Sequence, residues 1–270
     1  MKKFTTLLIC LSGLCLQAQV QGYTAGARAS GMGLTGTGLQ DFWSIFNNQA
    51  GAASQESFSA GVYFENPYML GELRRIAAGL LWPAGGGSLF MNTRYSGGSL
   101  YSEMKAGIGY ARAFGKHFSA GLQLDYLQMG IGEGYGHFHA LTFEGGMMAS
   151  LGEKLVIGMH TFNPTGVGWS KTEERIPVHF MTGLAYAPDP SLTLCAEIGK
   201  STAGIALFAA GCEYSYHERF FIRAGISSGP ARYSFGAGIV WKNLVIDIAS
   251  SVHSYLGYSP QLSFTWLNKQ

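Results

Sequence analysis

The strongest constraint in this chain is alternation. Segment after segment switches between apolar and small or polar residues with a period of two. Successive side chains of a strand point to opposite faces, so this is the pattern of strands with one apolar and one polar face. Phe118, Ala120, Leu122, Leu124 and Tyr126 share one face, against Ser119, Gly121, Gln123 and Asp125 on the other. Met104, Ala106, Ile108 and Tyr110 oppose Glu103, Lys105, Gly107 and Gly109 in the same way. Tyr233, Phe235, Ala237, Ile239 and Trp241 oppose Ser234, Gly236, Gly238 and Lys242, and Leu262, Phe264 and Trp266 oppose Gln261, Ser263 and Thr265.

About fourteen such segments are expected, near 55–65, 72–83, 87–96, 101–112, 117–129, 138–150, 154–162, 176–187, 191–199, 205–215, 219–227, 232–241, 243–252 and 260–268. A soluble sandwich also alternates, so the connectors decide. Every second one is short, as at Pro83-Ala84-Gly85-Gly86, Ala113-Phe114-Gly115-Lys116, Ser150-Leu151-Gly152-Glu153 and Lys242-Asn243. Those between are longer: Met129 to His137, Phe162 to Arg175 and His253 to Ser259. Short turns at one end and longer loops at the other belong to an antiparallel transmembrane barrel. Charged residues make only 13% of the chain, against ~25% in soluble domains, and 39 glycines accompany them. Past the N-terminus no apolar run reaches the length of a spanning helix.

The N-terminus reads as an export signal at residues 1–18. Lys2 and Lys3 precede an apolar stretch, Leu7 to Leu16, and Gln17-Ala18-Gln19 offers cleavage after Ala18. That places the mature chain in the outer membrane of a Gram-negative bacterium. Cys10 and Cys15 leave with the signal. Cys195 shares a face with Glu197, and Cys212 one with Tyr214, so strand parity sets the two thiols apart and no disulfide is expected. A net charge of +2 gives no reason to expect nucleic acid.

Residues 19–53 do not alternate. They hold Gly26, Gly31, Gly33, Gly36 and Gly38, then an amphipathic piece from Asp41 through Phe42, Trp43, Ser44 and Ile45 to Phe46. Such aromatic residues are rare in disordered tails. The segment is therefore expected to plug the barrel that occupies residues 54–270, with Asp41, Phe42, Trp43, Phe46, Asn47 and Asn48 as the plug residues.

The expected lumen face carries Arg75, Glu103, Lys105, Asp125, Glu144, Glu197, Arg223 and Asp247, a set of mixed sign that is stable only if paired. Catalytic and cofactor chemistry find little support. His137 and His139 would point the same way but lack a third metal ligand. Gly85-Gly86-Gly87 lacks the lysine and helix of a phosphate loop, and no nucleophile motif stands out. The loop Val167 to Arg175, with Trp169, Lys171, Glu173, Glu174 and Arg175, is a candidate partner surface, weighed against a plain solvated loop.

Gly26-Ala27-Arg28, Gly31-Met32-Gly33, Asp41 and Asn47-Asn48-Gln49-Ala50-Gly51 resemble the opening of FadL-superfamily barrels, with Gln49 where those have proline. Phe162-Asn163-Pro164-Thr165-Gly166, Ile176-Pro177-Val178, Gly183-Leu184-Ala185-Tyr186, and Asp247 with Leu256-Gly257-Tyr258-Ser259 are similar to the PorV/PorQ branch found in Bacteroidota. The resemblance implies fourteen strands and an N-terminal plug, and the missing motifs give no reason to expect an enzyme. Functions in the family diverge, and two roles stand ahead of a purely structural barrel with no fixed partner. The first is an accessory or scaffold subunit of an outer-membrane machine, of the type IX secretion or barrel-assembly kind, beside a large barrel or surface lipoproteins. The second is a transporter of hydrophobic small molecules. About 252 mature residues leave roughly 18 per strand with its connector, where a strand itself takes ~9–11. That leaves little for large outer loops and favours the subunit. A transporter would instead show a greasy pocket beside Phe42, Trp43 and Phe46.

Overall fold

A computed structural model describes residues 24–134 and 136–268, so the expected signal at 1–18 lies outside the described residues. Fourteen antiparallel strands close into one barrel; each pairs with its chain neighbours, and the last pairs with the first. The first seven are β1 (Ser59–Glu65), β2 (Arg75–Ala84), β3 (Gly87–Gly97), β4 (Tyr101–Phe114), β5 (Phe118–Ile131), β6 (Gly136–Leu151) and β7 (Leu155–Phe162). The other seven are β8 (His179–Asp189), β9 (Leu192–Ser201), β10 (Leu207–Tyr216), β11 (Phe220–Ser227), β12 (Arg232–Trp241), β13 (Leu244–His253) and β14 (Gly257–Leu267). Closure leaves no sheet edge, which a sheet in hydrocarbon requires because unpaired backbone groups find no water there.

The faces sort as the alternation implies. Ile108, Leu122, Leu124 and Ile222 are more than half exposed on the outer wall, whereas Ser119, Gln123 and Asp125 are buried on the inner one. Aromatic rings mark both rims of this apolar belt. Phe58 packs between Trp82 and Trp266 at the short-turn end, with centroids 5.4 and 5.8 Å away, while Tyr126, Tyr233 and Tyr258 stand exposed toward the other. An apolar belt between aromatic girdles is what a bilayer demands of a barrel surface. The chain is an integral outer-membrane barrel. Cys195 is buried on the inner face and Cys212 is exposed on the outer, and both are free thiols.

The connectors are sorted by end, but less strongly than the sequence implies. One end has only the tight turns 85–86, 115–117, 152–154, 190–191, 217–219 and 242–243. At the other end only 66–74 and 163–178 are long. The expected loop from Met129 to His137 is mostly strand: β5 and β6 stay paired to Ile131 and Gly136 and turn through Glu133 and Gly134, both at positive φ. Glycines there read as loop but continue the ladder. Likewise the expected loop from His253 to Ser259 shrinks to 254–256. Four strand starts move the other way, because 55–58, 72–74, 176–178 and 205–206 are not strand. Ile176 is instead tied into the long loop, its carbonyl accepting a 2.8 Å hydrogen bond from the Asn163 side chain.

Residues 24–54 lie inside the ring of strands. A short helix at Ala27–Gly31 sits against β11 to β14, and the 3₁₀ stretch Gln49–Ser54 sits against β3 to β6. The piece from Phe42 to Phe46 is buried on every side rather than amphipathic, because wall surrounds it. The wall makes room with glycine. A side chain at Gly61 would strike Phe42, at Gly79 Ile45, at Gly121 Gln49, at Gly146 Asn48, and at Gly211 or Gly225 Met32. Gly31 meets Gly236 backbone to backbone; a Cβ on Gly31 would lie 3.2 Å from the Gly236 Cα.

Candidate functional site

The inner face gathers its charges into separate clusters. On β4 to β7, Lys105 Nζ lies 2.6 Å from Glu144 Oε1 and 3.9 Å from Asp125 Oδ1. Gln123 donates to both carboxylates at 2.7 and 2.6 Å, and His160 Nε2 lies 3.2 Å from Glu144 Oε2. Asn92 extends the network to the N-terminal segment by donating to Ile45 O at 2.7 Å. On β10 to β13, Arg223 bridges Glu213 and Asp247, and Arg28 of the segment reaches the same Glu213 at 2.6 Å and Asp41 at 3.1 Å. Arg75 pairs with Glu65 at 3.1 Å, and Glu197 accepts the Thr37 N–H at 2.8 Å. In a low-dielectric interior such charges persist only when matched in this way.

Seven of the eight residues expected in the lumen therefore fall into these contacts. Glu103 does not join them: it is half-exposed near the outer rim and accepts a hydrogen bond from Tyr101. Glu65, Gln123, His160, Glu213 and Arg28 are central yet absent from the expected set. Parity alone places Glu213 inward, since its neighbours Cys212 and Tyr214 face out. The segment residues staple it together. Asn47 bonds both the N–H and C=O of Ala25 at 2.9 Å, Asn48 donates to Thr37 O at 2.8 Å, and Asp41 accepts from Trp43 N at 2.8 Å. Phe42, Trp43 and Phe46 pack with Tyr63 and Phe90 in one apolar cluster.

Two cavities flank the segment. One, of about 260 Å³, opens at the short-turn end and is lined by Phe42, Trp43, Phe221, Val240, Val245 and Leu267, with the Arg28 and Arg223 cluster at its side. The other, of about 70 Å³, sits at the outer mouth between β8 and β12 and includes Leu34, Met181, Ile205, Leu207 and Arg232. Between them a smaller space of about 30 Å³ lies along the segment, beside Thr37, Phe46, Asn47, His160 and Glu197.

The long loop 163–178 closes the wall where β6 outruns β7. Asn163, at φ 53°, accepts from Thr142 Oγ1 at 2.8 Å and donates to Ile176 O. Trp169 packs half-buried against the cluster of Leu127, Phe162 and Ile176. It is therefore wall packing rather than a free anchor, while Lys171, Glu173, Glu174 and Arg175 are exposed. His137 and His139 face outward, bonded to Gln128 and Tyr126 respectively. Among the described residues no group of three metal-ligating side chains exists.

No family model and no curated protein matches the sequence. The fold has close counterparts. The CymD monoaromatic hydrocarbon channel superposes with a TM-score of 0.71 at 12% identity, covering 93% of this chain and 99% of that one. The Pseudomonas putida toluene transporter TodX gives 0.68 at 13% identity, covering 93% and 100%. A Pseudomonas aeruginosa FadL homologue gives 0.68 at 12% identity, covering 90% and 98%. The chain thus has the fourteen-strand fold of FadL-type outer-membrane barrels.

Proposed function

We propose that the protein is an outer-membrane channel for small hydrophobic molecules. The observation that carries this is the pair of cavities, one on each side of the inner segment, each with an apolar side. The larger lies beside Phe42 and Trp43, where a greasy pocket was expected. A barrel of the fold shared with the toluene and monoaromatic hydrocarbon channels supports the same reading. In it, residues 24–54 act as a plug that must yield locally for a molecule to pass, a reading supported by the burial of Phe42 to Phe46 inside the wall. The test is uptake of radiolabelled toluene at low concentration by cells with and without the gene. Slower uptake in the deletion supports the channel; equal uptake, with no apolar ligand in the protein purified in mild detergent, overturns it.

A second reading, an accessory or scaffold subunit of an outer-membrane secretion or assembly machine, is favoured by the tightness of the segment's packing. Nine wall strands give up a side chain, keeping glycine where the segment touches, and the PorV/PorQ-like motifs point the same way. A protein that conducts nothing works through its surface, and the exposed charges of 171–175 then become the docking loop. Mild-detergent purification from native membranes decides: a stoichiometric large barrel or surface lipoprotein supports the subunit, and a lone monomer counts against it.

A further inference from the structure

The outer cavity differs from the rest of the lumen in its charge. Arg28, Arg75, Lys105 and Arg223 each meet a carboxylate. Arg232 does not. Its side chain is buried at the cavity wall, and its only polar partner among the described residues is the Tyr68 hydroxyl, which accepts from Nη2 at 2.9 Å. The Tyr68 ring also lies 5.9 Å from the guanidinium carbon. The Nε–H is buried with nothing to bond. Of the residues that line the cavity, none is Asp or Glu. A ring face offsets part of the cost of a buried cation but not the cost of an unmet donor.

The other polar side chains there are Thr24, His179, Lys200, Ser201, Ser227 and Ser228, and the Lys200 ammonium already donates to Gly204 O at 2.8 Å. Ser201 and Ser228 each use a hydroxyl oxygen to accept a backbone N–H, from Ala203 at 3.2 Å and Phe208 at 2.9 Å. Each O–H is left to donate. The apolar side of the cavity is formed by Met181, Ile205, Leu207 and Leu34, the last held at φ 77°. A cavity with a buried guanidinium, hydroxyl donors, no acid and an apolar side matches a ligand with an oxyanion head and a compact apolar body.

We propose that this cavity is a binding site for small organic oxyanions, with Arg232 as the residue that takes the charged head. The cavity is the outer of the two on which the channel reading rests, but binding is read here without passage, so the two proposals can fail separately.

The experiment is isothermal titration of the full chain, in a neutral detergent, with benzoate and with benzamide, its uncharged counterpart of similar shape. Benzoate is expected to bind saturably and at least tenfold tighter than benzamide, a margin of about 1.4 kcal/mol. Arg232→Gln is expected to erase that preference. Tyr68→Phe, which removes the phenol and leaves the cation, is expected to keep it. Equal affinity for the two probes in the native protein, or a preference that survives Arg232→Gln, overturns the proposal. Should Arg232→Gln not fold, judged by heat-modifiable mobility, Ser228→Ala decides: a benzoate preference reduced several-fold supports the site and an unchanged one overturns it.

Discussion

The two large ion clusters stand on different stretches of the same wall, and they hold different things. The Lys105, Asp125 and Glu144 cluster is built from wall residues and reaches the inner segment through Asn92. The Glu213 cluster is incomplete without the segment, because Arg28 takes both oxygens of a carboxylate that Arg223 also needs. The first braces strands that are already paired. The second fixes a non-strand element to a sheet, with a charge pair where no backbone ladder is available. A buried pair in that second role is a clamp whose loss frees something.

Four measurements can break this distinction or sharpen it. Glu213→Gln leaves two guanidiniums sharing the remaining acids and is expected to cost about 3–5 kcal/mol, the range for breaking a buried pair. Its signature is release of the segment: trypsin, added to the folded barrel, is expected to cut after Arg28, which the native protein resists. Glu144→Gln is expected to cost about 2–3 kcal/mol, as for a lost charge-assisted bond. It should lower the urea midpoint with no new cleavage at Arg28; cleavage there would erase the difference between the clusters. Asp41→Asn removes a partner from a pair that is one-fifth to one-quarter exposed on its two sides, so solvent screening limits the loss to about 1 kcal/mol or less. The smallest effect is the coupling between clusters. The Glu213→Gln/Glu144→Gln double variant is expected to be additive within about 0.5 kcal/mol, and a larger coupling would mean that the segment transmits strain from one cluster to the other.

The wall was legible in the sequence because a period of two survives any context. Lipid outside and a fixed lumen inside force every strand to obey it, so Leu122 and Gln123 declare their faces without reference to a neighbour. The same rule assigned Arg223 and Asp247 inward. It could not say which charges meet, because partners such as Arg28 and Glu213 are 185 residues apart. Nor could it read glycine. At Gly121 and Gly146 the residue yields space to the segment, while at Gly85 and Gly152 nothing lies within 4 Å and positive φ is what a tight turn needs. One letter serves two physical purposes, and only the packing separates them. The over-long loop expected around Gly130 to Gly136 came from the same ambiguity. Trp169 looked like an anchor for want of any sign that β7 stops short and leaves a gap for the loop to cover.

The placement of the inner segment has a consequence for how this protein is made. The Ala27 N–H donates to the hydroxyl of Ser263, 236 residues further on, at 3.2 Å, and β1 closes against β14, the last strand of the chain. Both contacts are among the most remote the chain can form, and contacts of that kind are slow to find. The helix at Ala27–Gly31 has no complete seat until the last strands arrive, at which moment the seam and this side of the interior become available together. Assembly of this barrel is thus expected to finish in one late, concerted step, and a chain truncated before β14 to lose both its closure and its filled centre.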